Sequence, residues 1–144
     1  MRPLNLTYFF ILFWVGSFVL AQKNDSLSQK SNRYLVSKLD SFQFNRQDTL
    51  VWVYLKAYIQ NAKKRNDYET LFYGYREAVY FSDGIIKLHY ADSAIYISKK
   101  LGKPQIYGSA YLLKGRTLYG FKDYKGALDN YLNANEIVKN IQDE

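Results

Sequence analysis

Apolar positions recur at helical spacing from Asn32 to the end of the chain, the pattern expected of amphipathic helices. In YLVSKLDSF, Leu35, Leu39 and Phe42 stand at i, i+4 and i+7. The run TLVWVYLKAYIQNA places Leu50, Val51, Tyr54, Leu55, Tyr58, Ile59 and Ala62 on one side, with Asp48 or Thr49 as its N-cap. YETLFYGYREAVYF supplies Leu71, Phe72, Tyr75 and Val79 and extends to Ser82. IIKLHYADSAIYISKKL supplies Ile85, Leu88, Ala91, Ile95 and Ser98. Gly102 then falls where a left-handed C-cap belongs, behind Lys99 and Lys100, whose charges suit the negative end of a helix dipole. Pro104 suits the first position of the next helix. With only 2 Pro in 144 residues, long uninterrupted helices, and hence an all-α fold, are expected.

The pattern is different before Asn32. Arg2 precedes a stretch without charge from Pro3 to Gln22, and that stretch closes on Val19-Leu20-Ala21. A charged start, an apolar middle and a small residue at the cut predict a secretory signal peptide over residues 1–21, with cleavage after Ala21. Export to the periplasm or medium follows from that reading. The alternative is a chain anchored in the inner membrane by residues 4–21, since an uncleaved segment of this length is borderline for spanning a bilayer. Residues 22–31 are polar and read as a flexible lead-in.

A repeat runs through the helical part. AKKRND at Ala62, SKKLGK at Ser98 and ANEIVK at Ala134 begin 36 residues apart. At the same offset Tyr75 matches Tyr111, Ala91 matches Ala127 and Tyr58 matches Ala94. Two helical runs per period predict antiparallel helical hairpins stacked as a short solenoid over residues 32–144.

In the segment KGRTLYGFKDYKGALDNYLNANEI and just before it, Tyr111, Gly115, Leu118, Tyr124, Ala127, Tyr131 and Ala134 stand at fixed distances. That spacing resembles the tetratricopeptide repeat, a unit of about 34 residues. Lys114 and Lys139 stand where the family carries leucine and proline. The resemblance is fullest over residues 108–141; residues 68–102 resemble a degenerate unit, with Val79 in place of the glycine, and residues 32–65 a partial one. It implies that Gly115, Ala127 and Ala134 are close contacts between helices about 8–10 Å apart, and that Tyr111, Leu118, Tyr124 and Tyr131 fill the space between hairpins. The wider stretch from YLKAYIQNA to NANEI resembles the exported N-terminal sensory repeat region of hybrid signalling regulators of Bacteroidetes, in which a helix-turn-helix or kinase output follows a membrane span. IVKNIQDE follows the second helix of the last unit directly. The expectation there is a truncated member, or an uncapped end that self-associates with a second copy.

Candidate chemistry narrows the function. There is no Cys, and His89 is the single His, so a thiolate nucleophile, a disulfide framework and a zinc site are not expected. His89 has Asp92 one turn away, but the reading preferred for it is a helix-surface or packing residue. Asp67 with Glu69, and Asp123 with Asp129, flank turns and read as caps and solvated charges. No catalytic residue, cofactor or metal is expected, and the protein is read as a non-enzyme. Net charge is +7; removing residues 1–21 takes away Arg2 and no acid, leaving +6. Such a balance admits acidic partners, anionic lipid or nucleic acid. Export argues against nucleic acid, and the basic residues of YLKAYIQNAKKRNDY lie among core-spaced aromatics.

The family resemblance implies that the first helix of each pair lines a concave groove. Tyr73, Arg76 and Tyr80 of one unit would there meet Ser109, Leu112, Arg116 and Tyr119 of the next. The arginines would hold carboxylates of an extended peptide and the tyrosines would supply flat contact area. The Lys/Asn clamp of chaperone-binding members is not reproduced. The function expected is a protein- or peptide-binding scaffold, such as the sensory part of a signalling protein. The alternatives are an envelope assembly or structural repeat protein and a basic nucleic-acid-binding helical protein.

Overall fold

A computed structural model describes residues 27–45 and 48–142 of the chain. Those residues form six α-helices and no strand: α1 (Asn32–Phe44), α2 (Asp48–Arg65), α3 (Tyr68–Phe81), α4 (Ile86–Leu101), α5 (Pro104–Gly120) and α6 (Tyr124–Gln142). The expected signal peptide over residues 1–21 lies outside the described residues. No helix of the described residues is long and apolar enough to cross a membrane.

Local chemistry sets the boundaries. The Ser31 hydroxyl accepts the Tyr34 amide at 3.2 Å and starts α1. One turn design is used twice. Asn66 (φ 53°) and Lys122 (φ 64°) are left-handed. Each is followed by an aspartate whose amide bonds back into the preceding helix, Asp67 to the Ala62 carbonyl and Asp123 to the Leu118 carbonyl, both at 3.0 Å. Each aspartate then caps the following helix. Asp67 Oδ1 accepts the Thr70 amide at 3.0 Å, and Asp123 Oδ1 accepts the Gly126 amide at 2.9 Å. Gly102 ends α4 at φ 70°, a conformation that glycine adopts without steric cost, and Pro104 opens α5.

Short connections turn each helix back along its predecessor, and the substantial interhelical contacts join consecutive helices. The core runs from Leu35 and Leu39 of α1 through Val51 and Leu55 of α2 and Leu71, Phe72 and Val79 of α3 to Ala91, Ala94 and Ile97 of α4 and Ala110 and Leu113 of α5. Buried residues of α6 are small, Ala127 and Ala134, and stand apart from that cluster.

Two features depart from the sequence expectation. Ile85 precedes α4 and is exposed, while Ile97 is buried. The cause is that α4 packs against both α3 and α5, so its buried seam is Ala91, Ala94, Ile97 and Ser98. The lead-in is not loose throughout. Leu27 joins the core at 4% exposure, and the buried Asn61 side chain donates to the Leu27 and Lys30 carbonyls at 3.3 and 3.4 Å. A polar-looking segment is thereby tied to α2 by one leucine and one amide.

Candidate functional site

The face shared by α1, α3 and α5 carries three adjoining hollows. The central one, about 300 Å³, is lined by Phe72, Tyr73, Arg76 and Tyr80 of α3 and by Ile106, Ser109, Leu112, Leu113 and Arg116 of α5. The α3 residues share one side because 72, 76 and 80 are four apart in a helix of 3.6 residues per turn. The flank of α3 bearing Ala78 and Val79 is buried. An ion pair between Glu69 and Lys103 ties the start of α3 to the residue before α5.

Arg76 stands on the ridge between this hollow and a second one of about 210 Å³, which α1 walls with Val36, Leu39, Asp40 and Gln43. Its guanidinium lies 4.9 Å from the centre of the Tyr73 ring. Its Nε and Nη2 donate to Glu77 Oε1 at 3.1 and 2.8 Å. Stacking and ion pair together hold a half-exposed arginine in one orientation. Arg116 lines both the central hollow and a third of about 240 Å³, beside Tyr80, Lys87 and Thr117. It is exposed and makes no ion pair among the described residues.

Six of the seven residues expected in the groove therefore line one hollow: Tyr73, Arg76, Tyr80, Ser109, Leu112 and Arg116. Tyr119 does not. It lies at the end of α5, where the turn brings α6 alongside, and its ring stacks edge-on against Tyr124 at 5.4 Å. The contribution of α1 went unread in the sequence. The signal was there: Val36, Asp40 and Gln43 stand at i, i+4 and i+7 on the first helix of the partial unit. Lys87, which walls the third hollow from α4, carries no such signal, because nothing local distinguishes it from a solvated lysine.

The repeat positions serve packing to different degrees. A Cβ on Gly115 would lie 2.5 Å from Tyr131 Cε1 and 3.2 Å from the Ala127 carbonyl oxygen, so that glycine marks the closest approach of α5 and α6. Ala127 and Ala134 are buried; Leu118 and Tyr131 are half-buried. Tyr111 is half-buried, with its hydroxyl 3.2 Å from that of Tyr107. That hydrogen bond, helped by burial, pushes the Tyr111 phenol up to about 12. Tyr124 is 60% exposed. It opens α6 with its ring edge-on to Tyr119 and mostly exposed, and so does not fill the space between hairpins.

Among the described residues no group of three or more His, Asp or Glu side chains is placed to hold a metal ion. His89 is exposed on α4, away from the three hollows, and Asp92 is paired with Lys114 at 2.7 Å instead. The α1–α3–α5 face offers Arg116 and Lys87 on its α5 side, Asp40 and the paired Arg76 and Glu77 on its α1 side, and tyrosine rings and apolar hollows between. That set suits an extended ligand that brings an acidic group to Arg116. In comparison with known proteins, no family model, no curated protein and no solved structure matches the chain.

Proposed function

We propose that the protein is a non-catalytic scaffold of the tetratricopeptide type that is exported and holds an extended acidic peptide segment across α1, α3 and α5. The observation that carries this reading is the convergence of Tyr73, Arg76, Tyr80, Ser109, Leu112 and Arg116 on one hollow. Arg116 has no carboxylate partner of its own among the described residues. A peptide carboxylate would give its guanidinium a bidentate partner. The neighbouring tyrosines would add contact area at low entropic cost. Three hollows in a row suit an extended chain that seats side chains at intervals, as a sensory or scaffolding groove does. The signal expected over residues 1–21 supports export.

Selection of random twelve-residue peptides on the immobilised protein tests the groove. Bound peptides should be enriched in Asp and Glu, and Arg116→Glu should weaken them at least tenfold. Retention of the same peptides by Arg76→Ala/Arg116→Glu would remove the groove as the site. Intact mass of the protein recovered from the cell envelope and from the medium tests export: loss of residues 1–21 is expected, and their retention in membrane-bound protein argues for the anchored form.

A further inference from the structure

A cavity of about 620 Å³, twice the volume of the central hollow, opens on the other side of α3. The end of α2, α3 and α4 build it, and Leu71 and Ile97 form its apolar part. On α3 it uses Tyr68, Leu71 and Tyr75, which the helical period turns away from Tyr73, Arg76 and Tyr80. It is a separate surface from the peptide groove, and a ligand held there is independent of the groove's function.

The lysines of this cavity stand in the last turns of α2 and α4, at the negative ends of the helix dipoles, and have no acid partner among the described residues. Lys63 and Lys100 line it and neither forms an ion pair among the described residues. Lys63 Nζ lies 5.8 Å from the centre of the Tyr75 ring. Lys100 Nζ lies 4.7 Å from that of Tyr96 and 5.9 Å from that of Tyr68. The one acid in the lining, Asp92, is already neutralised by Lys114, which approaches from α5 at 2.7 Å. An ammonium over a ring face is held more weakly than one hydrogen-bonded to an anion, so an incoming acid group improves the position of both lysines. Tyr96 beside Lys100 raises the pKa of that amine. Three tyrosine rings, with Leu71 and Ile97, give a flat body the apolar contact that a free inorganic anion cannot use.

We infer that this cavity between α2, α3 and α4 binds a small organic anion, a carboxylate or phosphate carried on a flat ring, with Lys63 and Lys100 on the acid group and Tyr68, Tyr75 and Tyr96 against the ring. The shared chemistry is a ring joined to an anion, and the choice of acid group is left to the two probes.

The test is equilibrium binding to the full 144-residue chain, followed by amide NMR shifts, with phenyl phosphate, benzoate and inorganic phosphate as probes. Phenyl phosphate or benzoate should bind saturably at one site, with shifts centred on Tyr68, Tyr75 and Tyr96 and on Ser93, which also lines the cavity. Inorganic phosphate should bind at least tenfold more weakly. Lys63→Gln/Lys100→Gln should weaken the ring-bearing probe at least tenfold, while Arg116→Gln leaves it unchanged. Tyr96→Ala removes an exposed side chain and should weaken phenyl phosphate severalfold without changing inorganic phosphate. The inference is overturned if neither ring-bearing probe saturates at millimolar concentration. It is equally overturned if inorganic phosphate binds as tightly as phenyl phosphate, or if the double lysine variant keeps wild-type affinity.

Discussion

The pairs α3–α4 and α5–α6 differ in length and in turn, four residues with left-handed Gly84 against three with left-handed Lys122 and the Asp123 cap, and they place their tightest glycine approaches on opposite sides. In α3 the tight point is Gly74, where a Cβ would meet Ile59 Cγ1 of the preceding helix α2 at 2.7 Å. In α5 it is Gly115, which faces the following helix α6 and the Tyr131 ring. The position where the repeat would carry a glycine in α3 holds Val79, and that valine is buried. So α3 is drawn back onto α2 by a small residue and filled towards the core by larger ones. The last pair instead closes on glycine and alanine. The cost shows on α6: Leu128 and Leu132 are both 56% exposed. Thirty-six residues earlier the position of Leu128 is Asp92, which pairs with Lys114. A repeat in sequence therefore maintains where helices run more than which neighbour each side chain serves.

The largest test of that contrast compares Phe72→Ala with Leu128→Ala. Phe72 is buried in the core, so its truncation should cost about 3–5 kcal/mol. Leu128 is exposed and its truncation should stay within about 0.5 kcal/mol. Urea denaturation measures both, and equal costs would break the distinction between the two pairs.

The glycines sharpen it. Gly115→Ala should destabilise by about 1–3 kcal/mol, because the new methyl meets a ring and a backbone carbonyl. Gly74→Ala should also destabilise, since its methyl meets Ile59 Cγ1 at 2.7 Å and a β-branched side chain within a helix has little choice of rotamer. Gly108→Ala meets nothing closer than 3.5 Å. It should be neutral or stabilise by up to about 1 kcal/mol through helix propensity. Thermal unfolding of the three variants gives the order, and a harmless Gly115→Ala would refute the close approach of α5 and α6.

The smallest effect separates the two caps. Asp67 accepts both the amide and the hydroxyl of Thr70, at 3.0 and 2.6 Å, whereas the capping bond of Asp123 is to the Gly126 amide. The Thr70 hydroxyl, then the Thr70 amide, hold the Asp67 carboxyl below its ordinary value of 3.8. A carboxylate with a lowered folded-state pKa contributes its stability in full above the ordinary value. That contribution is lost as pH falls through the lowered one. Asp67→Ala should cost about 1 kcal/mol at neutral pH, with the difference from wild type shrinking below pH 3.8. Melting curves taken from neutral pH into acid check this; a difference that persists in acid would contradict it.

Much of the architecture could be read because it rests on local rules. Helical periods, the Gly102 cap, Pro104 and the aspartates after left-handed turns all act within a few residues of themselves. That Arg76 and Tyr80 share one side of α3, and Ser109, Leu112 and Arg116 one side of α5, was legible for the same reason, since a fixed period turns residues three or four apart to one side. Tyr119 and Tyr124 were misplaced because the α5–α6 turn sets their rings against each other, and period alone does not describe a turn. Leu27 looked like part of a polar lead-in, and packing into the core buries it, with the Asn61 amide, 34 positions away, bonded to its carbonyl.

By itself the sequence determined the all-helical class, the approximate extent of the helices and which residues are small enough to sit where helices meet. These follow from backbone hydrogen bonding and side-chain volume, which act over one or two turns. Tertiary structure alone decided which helix each glycine approaches. It also brought Arg76 and Arg116 to one hollow, and left Lys63 and Lys100 without an acid beside three tyrosines. Charge compensation and cavity shape depend on groups that are distant in the chain and adjacent in space, and a period along one dimension carries no record of them.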